Sequence, residues 1–259
     1  MEKARFLECL ADDYGRIREV VSGHLDSRVQ TCPDWAVSDL VQHVGIVYLH
    51  KAVTMRDGHQ PADWPPASLN DEEPVALLDR AYAELVKELS ERNPADVSHT
   101  WYEPDQSVGF WVRRMAQETV IHRVDAELAV GVPVAPIPDD LAIDGIDELL
   151  RTIVAYDVEK WPEDYSEVLG ASPERSYAIS TPGAEWRITT SPGRFSVQGG
   201  PGVMAAVDSE IDVTASGPSG ALLRWAWNRA SGDEASEVVV TGDPDAIAEF
   251  RRCVATATQ

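Results

Sequence analysis

Apolar side chains recur every three or four residues along most of the first half of the chain. This spacing puts them on one face of an α-helix, and prolines and glycines interrupt it between segments. The pattern predicts four helices, at residues 2–22, 35–55, 73–91 and 108–130, with a proline-containing loop over 57–72. Amphipathic helices bury their apolar faces against one another, so the first half is predicted to be a four-helix bundle.

The pattern changes in the second half of the chain. Residues 132–138 contain three prolines, which indicate a stiff linker. Short alternating stretches separated by glycine-containing turns then predict strands at 176–181, 185–190, 195–198 and 211–215. Further helices are predicted at 139–160, 220–229 and 244–256. Together these elements are typical of a small α+β domain with an antiparallel sheet. The predicted fold class is therefore α+β, with one domain over residues 1–136 and a second over 139–259.

The chain is strongly acidic. Its 44 acidic residues outnumber 22 basic ones, which gives a net charge of −22 and a pI near 4.5. A surface of this sign repels phosphate backbones and anionic lipids, so we expect neither nucleic acid nor a membrane as a partner. No apolar run reaches the length of a membrane span, no signal sequence is recognisable at the N-terminus, and the three cysteines are scattered. We expect a cytoplasmic protein, either a monomer or a weak dimer.

Three side chains in the predicted bundle have the residue types of a metal centre. Glu118 and His122 are four residues apart and so share one face of a helix. His43 lies beside the apolar stripe of a different helix and is expected to point inward. Two histidines and a carboxylate form the ligand set of a catalytic zinc site or of a non-haem iron centre. Buried histidines and helical Glu–His pairs also serve structural roles, so the spacing by itself leaves both interpretations open.

Stretches around these residues resemble the mycothiol-dependent maleylpyruvate isomerase family. The first signature is WAVSDLVQHVG at residues 35–45, and the second is ETVIHRVDA at 118–126. The run GPSGALLRWAWNR at 217–229 and VTGD at 240–243 resemble the C-terminal part of the family. The resemblance implies a DinB-like four-helix bundle followed by a sterol-carrier-like α+β domain. It also implies a metal ion bound by His43, Glu118 and His122.

The chemistry implied by this resemblance is attack of a thiol on an electrophile. A divalent ion, with zinc ahead of nickel, iron and manganese, would bind the sulfur of mycothiol and favour its thiolate form. The resemblance leaves open whether the enzyme is a cis–trans isomerase or an S-transferase. The expected partners are a small-molecule electrophile and a low-molecular-weight thiol. The alternatives are a metal-binding module that sequesters a small molecule without turnover, and a protein whose ion only clamps helices together.

Arg229 is the candidate catalytic residue of the second domain. The family carries an arginine at the end of the corresponding tryptophan-rich helix, where it is thought to meet substrate or cofactor. A guanidinium suits a carboxylate-bearing substrate in so acidic a protein, whereas the alternative is a surface arginine at a helix C-terminus. The family often has a small residue and glycine before this arginine, but Trp227 and Asn228 stand here. We expect Arg229 to face the metal across a cleft between the domains.

Several neighbouring residues are expected to be structural. Trp35 is predicted to anchor the core or, alternatively, to line a pocket. Asp125 follows His122 by three residues and could orient its imidazole, and Arg123 could pair with an acid elsewhere in the bundle. The remaining histidines are expected to be exposed to solvent: His24, His50, His59 and His99.

Overall fold

Four long helices build the first half of the chain, as the apolar spacing predicts. A computed structural model describes residues 1–203, 211–230 and 237–258. In it the helices are α1 (Lys3–Val20), α2 (Val37–Asp57), α3 (Pro74–Glu91) and α4 (Val108–Val130). Their ends lie within two residues of the predicted ones. A short 3₁₀ turn, Ala67–Asp71, lies within the predicted loop between α2 and α3.

Local sequence sets the ends of these helices. The side chain of Ser107 accepts a hydrogen bond from a backbone N–H of the first turn of α4, and Glu73 does the same for α3. Pro74 suits the first position of α3 because its missing N–H would have no partner there. Gly58 and Gly131 end α2 and α4 with φ angles of 76° and 74°, a left-handed conformation that glycine adopts without strain.

Helix α2 packs against α3 and α4, and α1 packs against α4. Gly45 allows α2 to approach α3 closely, because a Cβ atom there would lie 3.0 Å from Leu77 Cγ and 3.2 Å from the backbone of Leu78. The apolar faces meet in a core whose members are almost wholly buried: Leu10, Ile17, Leu40, Val41, Val44, Tyr48, Leu78, Leu85, Trp111, Val120 and Val124. The two helices with the candidate ligands, α2 and α4, are therefore held side by side.

A buried ion network joins α1 to α4 and to the residues that follow α4. The Arg123 guanidinium donates to Asp13 of α1 at 2.9 Å and to Glu127 at 2.7 Å. It also donates to the backbone carbonyl of Ala135 at 2.7 Å, while the Ala135 N–H donates to Glu127 at 3.1 Å. The prediction that Arg123 pairs with an acid elsewhere among the helices is confirmed.

The chain divides into two compact units, Met1–Ala135 and Pro136–Gln259. Within its described residues the second unit contains a mixed sheet of five strands in the order β3-β2-β1-β4-β5. The strands are β1 (Arg175–Thr181), β2 (Ala184–Ser191), β3 (Arg194–Pro201), β4 (Val213–Ser216) and β5 (Val239–Gly242). The predicted α+β class is confirmed.

The prediction that the whole sheet is antiparallel is wrong at one position. Strands β1, β2 and β3 form antiparallel hairpins, and β4 pairs antiparallel with β5, but β4 runs parallel to β1. Each antiparallel hairpin is determined locally by the tight turn between its two strands. Strand β4 instead pairs with the edge of β1 opposite β2, and no short turn connects it to β1 that would set its direction. The sequence pattern does not predict strand β5, because this strand has four residues and three of them are exposed.

The helices of the second unit are less regular than predicted. The helix expected over 139–160 consists of α5 (Asp139–Asp147), a π-helical stretch (Glu148–Ala155) and α6 (Tyr156–Lys160), and a short α7 (Ser166–Leu169) follows. Helix α8 (Ser219–Ala226) ends before the predicted residue 229, and α9 (Pro244–Ala257) matches its prediction. Among the helices described, none combines the length and apolar character needed to cross a bilayer.

Candidate metal centre

The structure brings together the three side chains predicted to bind a metal. His43 extends from α2 toward Glu118 and His122 of α4. The Nε2 atom of His43 lies 3.5 Å from Oε1 of Glu118, and the same oxygen lies 3.1 Å from Nε2 of His122. All three potential ligand atoms lie within 4.8 Å of one another. Two atoms that bind one ion tetrahedrally at about 2.0–2.1 Å lie about 3.3 Å apart, so the distances from Glu118 Oε1 to the two imidazole nitrogens fit a zinc-sized ion.

The second oxygen of Glu118 is already engaged. An N–H of Arg114, one turn earlier on α4, donates to Glu118 Oε2 at 2.7 Å. This hydrogen bond leaves Oε1 facing the two imidazoles, so Glu118 is arranged to contribute one oxygen to an ion. Sequence reasoning misses Arg114, although its position four residues before Glu118 is the spacing of a helical ion pair and could have indicated it.

The imidazole of His122 is held from its other side. Its Nδ1 atom lies 3.1 Å from Oδ2 of Asp125, and Oδ1 of Asp125 accepts a hydrogen bond from the Thr31 hydroxyl at 2.7 Å. Asp125 is fully buried. A carboxylate that accepts from Nδ1 leaves Nε2 directed toward Glu118 Oε1, an arrangement that is common for histidines that bind a metal. The prediction that Asp125 orients His122 is confirmed, whereas Thr31 comes from a loop distant in sequence and could not be predicted.

His43 is the more open side of the triad. About a third of its side chain is accessible, with a relative exposure of 36%. The indole of Trp35 lies beside it, with ring centroids 5.0 Å apart, and the ring of His122 is 5.1 Å away on another side. Trp35 is half-buried rather than part of the buried core, so the expectation that it anchors the core is wrong. It covers one face of His43 instead.

Charges within the triad shift the protonation of its members. Burial raises the pKa of Glu118, but the charge of His122, hydrogen bonds from both imidazoles and the charge of Arg114 outweigh burial and bring this pKa well below its usual value. Burial lowers the pKa of His122, but Glu118 and Asp125 together raise it to about 9. Without a bound ion, His122 is therefore protonated at neutral pH and donates to both carboxylates.

A lysine and a histidine follow His43 along α2. The ammonium of Lys51 lies 4.8 Å from the ring centroid of Trp111 and donates to Nδ1 of His50 at 3.1 Å. Burial lowers the pKa of Lys51 to about 8. Burial also lowers the pKa of His50, and the charge of Lys51 lowers it further, to about 4. His50 is half-buried against Trp64, so the expectation that it is exposed is wrong, whereas His24, His59 and His99 are exposed as expected.

Arg229 lies in the second unit, just after α8. Its guanidinium donates to the carbonyl of Trp227 at 2.7 Å and lies 5.7 Å from the centroid of the Trp227 ring. Between them, Asn228 has a φ of 59°, in the left-handed region that glycine favours and that asparagine tolerates better than most residues. Asn228 thus permits a turn for which glycine would also be suited. The approach of Arg229 to the triad stays a prediction.

The fold and the triad define a two-part α+β protein with a candidate metal centre in its helical part, and comparison with known proteins gives the family. Residues 7–127 match the sequence model of the mycothiol maleylpyruvate isomerase N-terminal domain, and residues 140–249 match that of the MDMPI C-terminal domain. The chain belongs to the mycothiol-dependent maleylpyruvate isomerase family.

Solved structures agree with this fold. A crystal structure titled as the mycothiol-dependent maleylpyruvate isomerase is 16% identical, covers 93% of both chains and superposes with a TM-score of 0.56. A crystal structure titled as a single-residue mutant of the mycothiol-dependent maleylpyruvate isomerase is also 16% identical, covers 93% of both chains and superposes with a TM-score of 0.58. At this identity the likeness concerns the fold. A comparison with curated protein sequences gave no match.

Proposed function

We propose that this chain is a metal-dependent enzyme that uses mycothiol as a thiol nucleophile, either as a maleylpyruvate-type cis–trans isomerase or as an S-transferase. The observation that carries the proposal is the convergence of His43, Glu118 and His122 within 4.8 Å. Membership of the family supports mycothiol as the thiol. Zinc is the ion that we favour because this nitrogen and oxygen donor set suits it.

The three protein ligands favour a catalytic rather than a structural ion. Structural zinc sites usually have four protein ligands, whereas catalytic sites have three and accept an external group. When bound, the ion would hold the thiol as a thiolate. Addition of this thiolate to a conjugated double bond, followed by its elimination, would isomerise the double bond, whereas in S-transfer the sulfur would stay on the product. His43 provides the accessible side of the centre, and the contacts of Arg114 and Asp125 keep Glu118 and His122 in position.

The direct test is turnover by zinc-loaded protein. Wild type is assayed with mycothiol and either maleylpyruvate or a chloronitroarene, which reports S-transfer. His43→Ala should lose bound zinc and turnover together, while His59→Ala, which changes an exposed histidine, should lose neither. The proposal is wrong if zinc-loaded wild type converts neither electrophile. Binding of an electrophile without turnover would support the alternative of a sequestering module.

We further propose that Arg229 binds a carboxylate of the substrate. Arg229→Ala should then lower kcat/KM, with a loss of transition-state stabilisation of about 2–4 kcal/mol, the scale for removing one partner of a buried charge pair. Its zinc content should be unchanged. Arg229→Lys should recover only part of the loss, because an ammonium lacks the planar fork of a guanidinium. Arg194→Ala, at an exposed arginine of the same unit, is the control. Full activity of Arg229→Ala would contradict this role.

A further inference from the structure

Lys51 differs from several arginines of the first unit, because no carboxylate of the described residues contacts its ammonium. Its ammonium contacts the Trp111 ring and the Nδ1 atom of His50. No carboxylate oxygen of the described residues lies within 4.0 Å of it. By contrast, several arginines of the same unit each contact a carboxylate: Arg16, Arg56, Arg80, Arg114 and Arg123.

Lys3 and Lys87 of the same unit also lack a carboxylate within 4.0 Å among the described residues. Lys3, however, donates to two backbone carbonyls and Lys87 is exposed, whereas Lys51 is half-buried. A half-buried ammonium has lost part of its hydration, and here an aromatic face and a neutral imidazole nitrogen replace only some of it. The residue as a whole is still partly accessible to solvent, and one of the three N–H groups of its ammonium donates to His50.

Lys51 also lies on the same helix pair as the triad. Along α2 it follows His43 by eight residues, and the ring under it, Trp111, precedes Glu118 by seven residues on α4. Since His43 faces Glu118 while Lys51 faces Trp111, the two helices run antiparallel here. At 1.5 Å per residue, Lys51 lies about 10–12 Å along the helices from the triad. The charges of Glu118 and Arg114 both act on Lys51.

We propose that Lys51, with Trp111 beneath it and His50 beside it, forms an anion subsite that binds a carboxylate of the substrate whose reacting carbon lies at the triad. The inference deepens the proposed function and rests on it: it adds Lys51 as a residue of the first unit that selects substrates with a carboxylate. The carboxylate would accept hydrogen bonds from Nζ and replace the missing ion pair. The indole would keep the ammonium in place.

The test uses zinc-loaded full-length protein and two matched substrates, an unsaturated carboxylate and its methyl ester. Lys51→Met should raise KM for the carboxylate by about 10- to 100-fold, the loss expected for a hydrogen bond to a charged group, and leave KM for the ester unchanged. Lys51→Arg should restore most of the preference. Lys87→Met, at an exposed lysine of α3, is the control, and zinc content is measured in every variant. An equal change for both substrates, or no change, would overturn the proposal.

A binding measurement separates this proposal from the proposed function. Succinate, an unreactive dicarboxylate, is titrated into zinc-loaded wild type, Lys51→Met and Lys87→Met. Weaker binding to Lys51→Met alone supports the anion subsite even if wild type turns over neither electrophile. Equal binding to all three proteins overturns the subsite, even if wild type is an active mycothiol-dependent enzyme. Circular dichroism of each variant confirms that its helices are intact.

Discussion

Replacing Asp125 with alanine tests how the candidate centre holds His122. The Asp125 carboxylate is fully buried and accepts from His122 Nδ1 at 3.1 Å and from the Thr31 hydroxyl at 2.7 Å. Alanine removes both acceptors, so the imidazole can rotate and either nitrogen can carry its proton. His43 and Glu118 are untouched by the change. Metal affinity should fall while the other two ligands remain.

The expected size follows from measured effects of such outer carboxylates. Removing the group that orients a histidine ligand costs about 10- to 100-fold in metal affinity, or about 1.4–2.7 kcal/mol. Asp125→Asn keeps an acceptor of the same shape but loses the charge, and charge-assisted hydrogen bonds are roughly twice as strong as neutral ones. Asparagine should therefore cost about half as much free energy as alanine, or about 3- to 10-fold in affinity.

The assay is competition for zinc between each variant and a chromophoric chelator of known affinity, at neutral pH. Asp63→Ala, at an exposed aspartate in the loop before α3, is the matched control and should bind zinc as wild type does. Thermal unfolding without metal shows whether a variant is folded. Wild-type affinity in a folded Asp125→Ala protein would refute the reasoning, and so would equal losses for alanine and asparagine.

Three further predictions concern protonation and backbone conformation. Zinc must displace a proton from His122, whose pKa is raised to about 9 by Glu118 and Asp125. Apparent zinc affinity should therefore rise about tenfold per pH unit between about pH 7 and 9 and then level off, as calorimetry can measure. The pKa of Asp13 is raised to about 6, because the effect of burial outweighs that of the Arg123 charge. Between about pH 4 and 6 the folded protein therefore holds a proton on Asp13 that the unfolded chain has lost, so the unfolding free energy of wild type falls as pH rises through this window. Asp13→Asn lacks this titration, so its unfolding free energy minus that of wild type, measured in urea, should increase by up to about 3 kcal/mol over the same window. A difference that does not change with pH would contradict this prediction. Asn228→Gly should be about 1 kcal/mol more stable than Asn228→Ala in thermal unfolding, because both lose the amide but only glycine fits a φ of 59° without strain.

The features predicted correctly are those encoded within a few residues. Helices α1 to α4 follow from an apolar repeat that each segment carries by itself, and the antiparallel hairpins follow from tight turns. Glu118 and His122 share a helix face at any i, i+4 spacing, and the position of His43 on the stripe of α2 directs it inward. Local sequence is therefore enough to place these three side chains on their helices, whereas it is the resemblance to the family that selects them as metal ligands.

The features missed depend on which distant segments meet. The parallel pairing of β4 with β1 and the exposed strand β5 carry no local signal. Thr31 approaches Asp125 from a loop 94 residues away in sequence. The sequence predicts Trp35 in the core because it is hydrophobic, and His50 in solvent because it is polar. Burial, however, depends on the neighbours in the folded protein, which are His43 for Trp35 and Trp64 for His50.

The two hydrogen bonds of the Ala135 peptide group have a consequence for any attempt to shorten this protein. Helix α4 ends at Val130, which suggests a convenient place to cut the gene. A fragment that stopped there would lack the peptide group of Ala135, which provides both an acceptor to Arg123 and a donor to Glu127. Two buried polar side chains would then each lose one hydrogen-bond partner in the interior of the helical unit. A helical fragment that keeps both hydrogen bonds therefore has to include Ala135, the last residue of the first unit, so its boundary is set by a buried guanidinium rather than by the end of a helix.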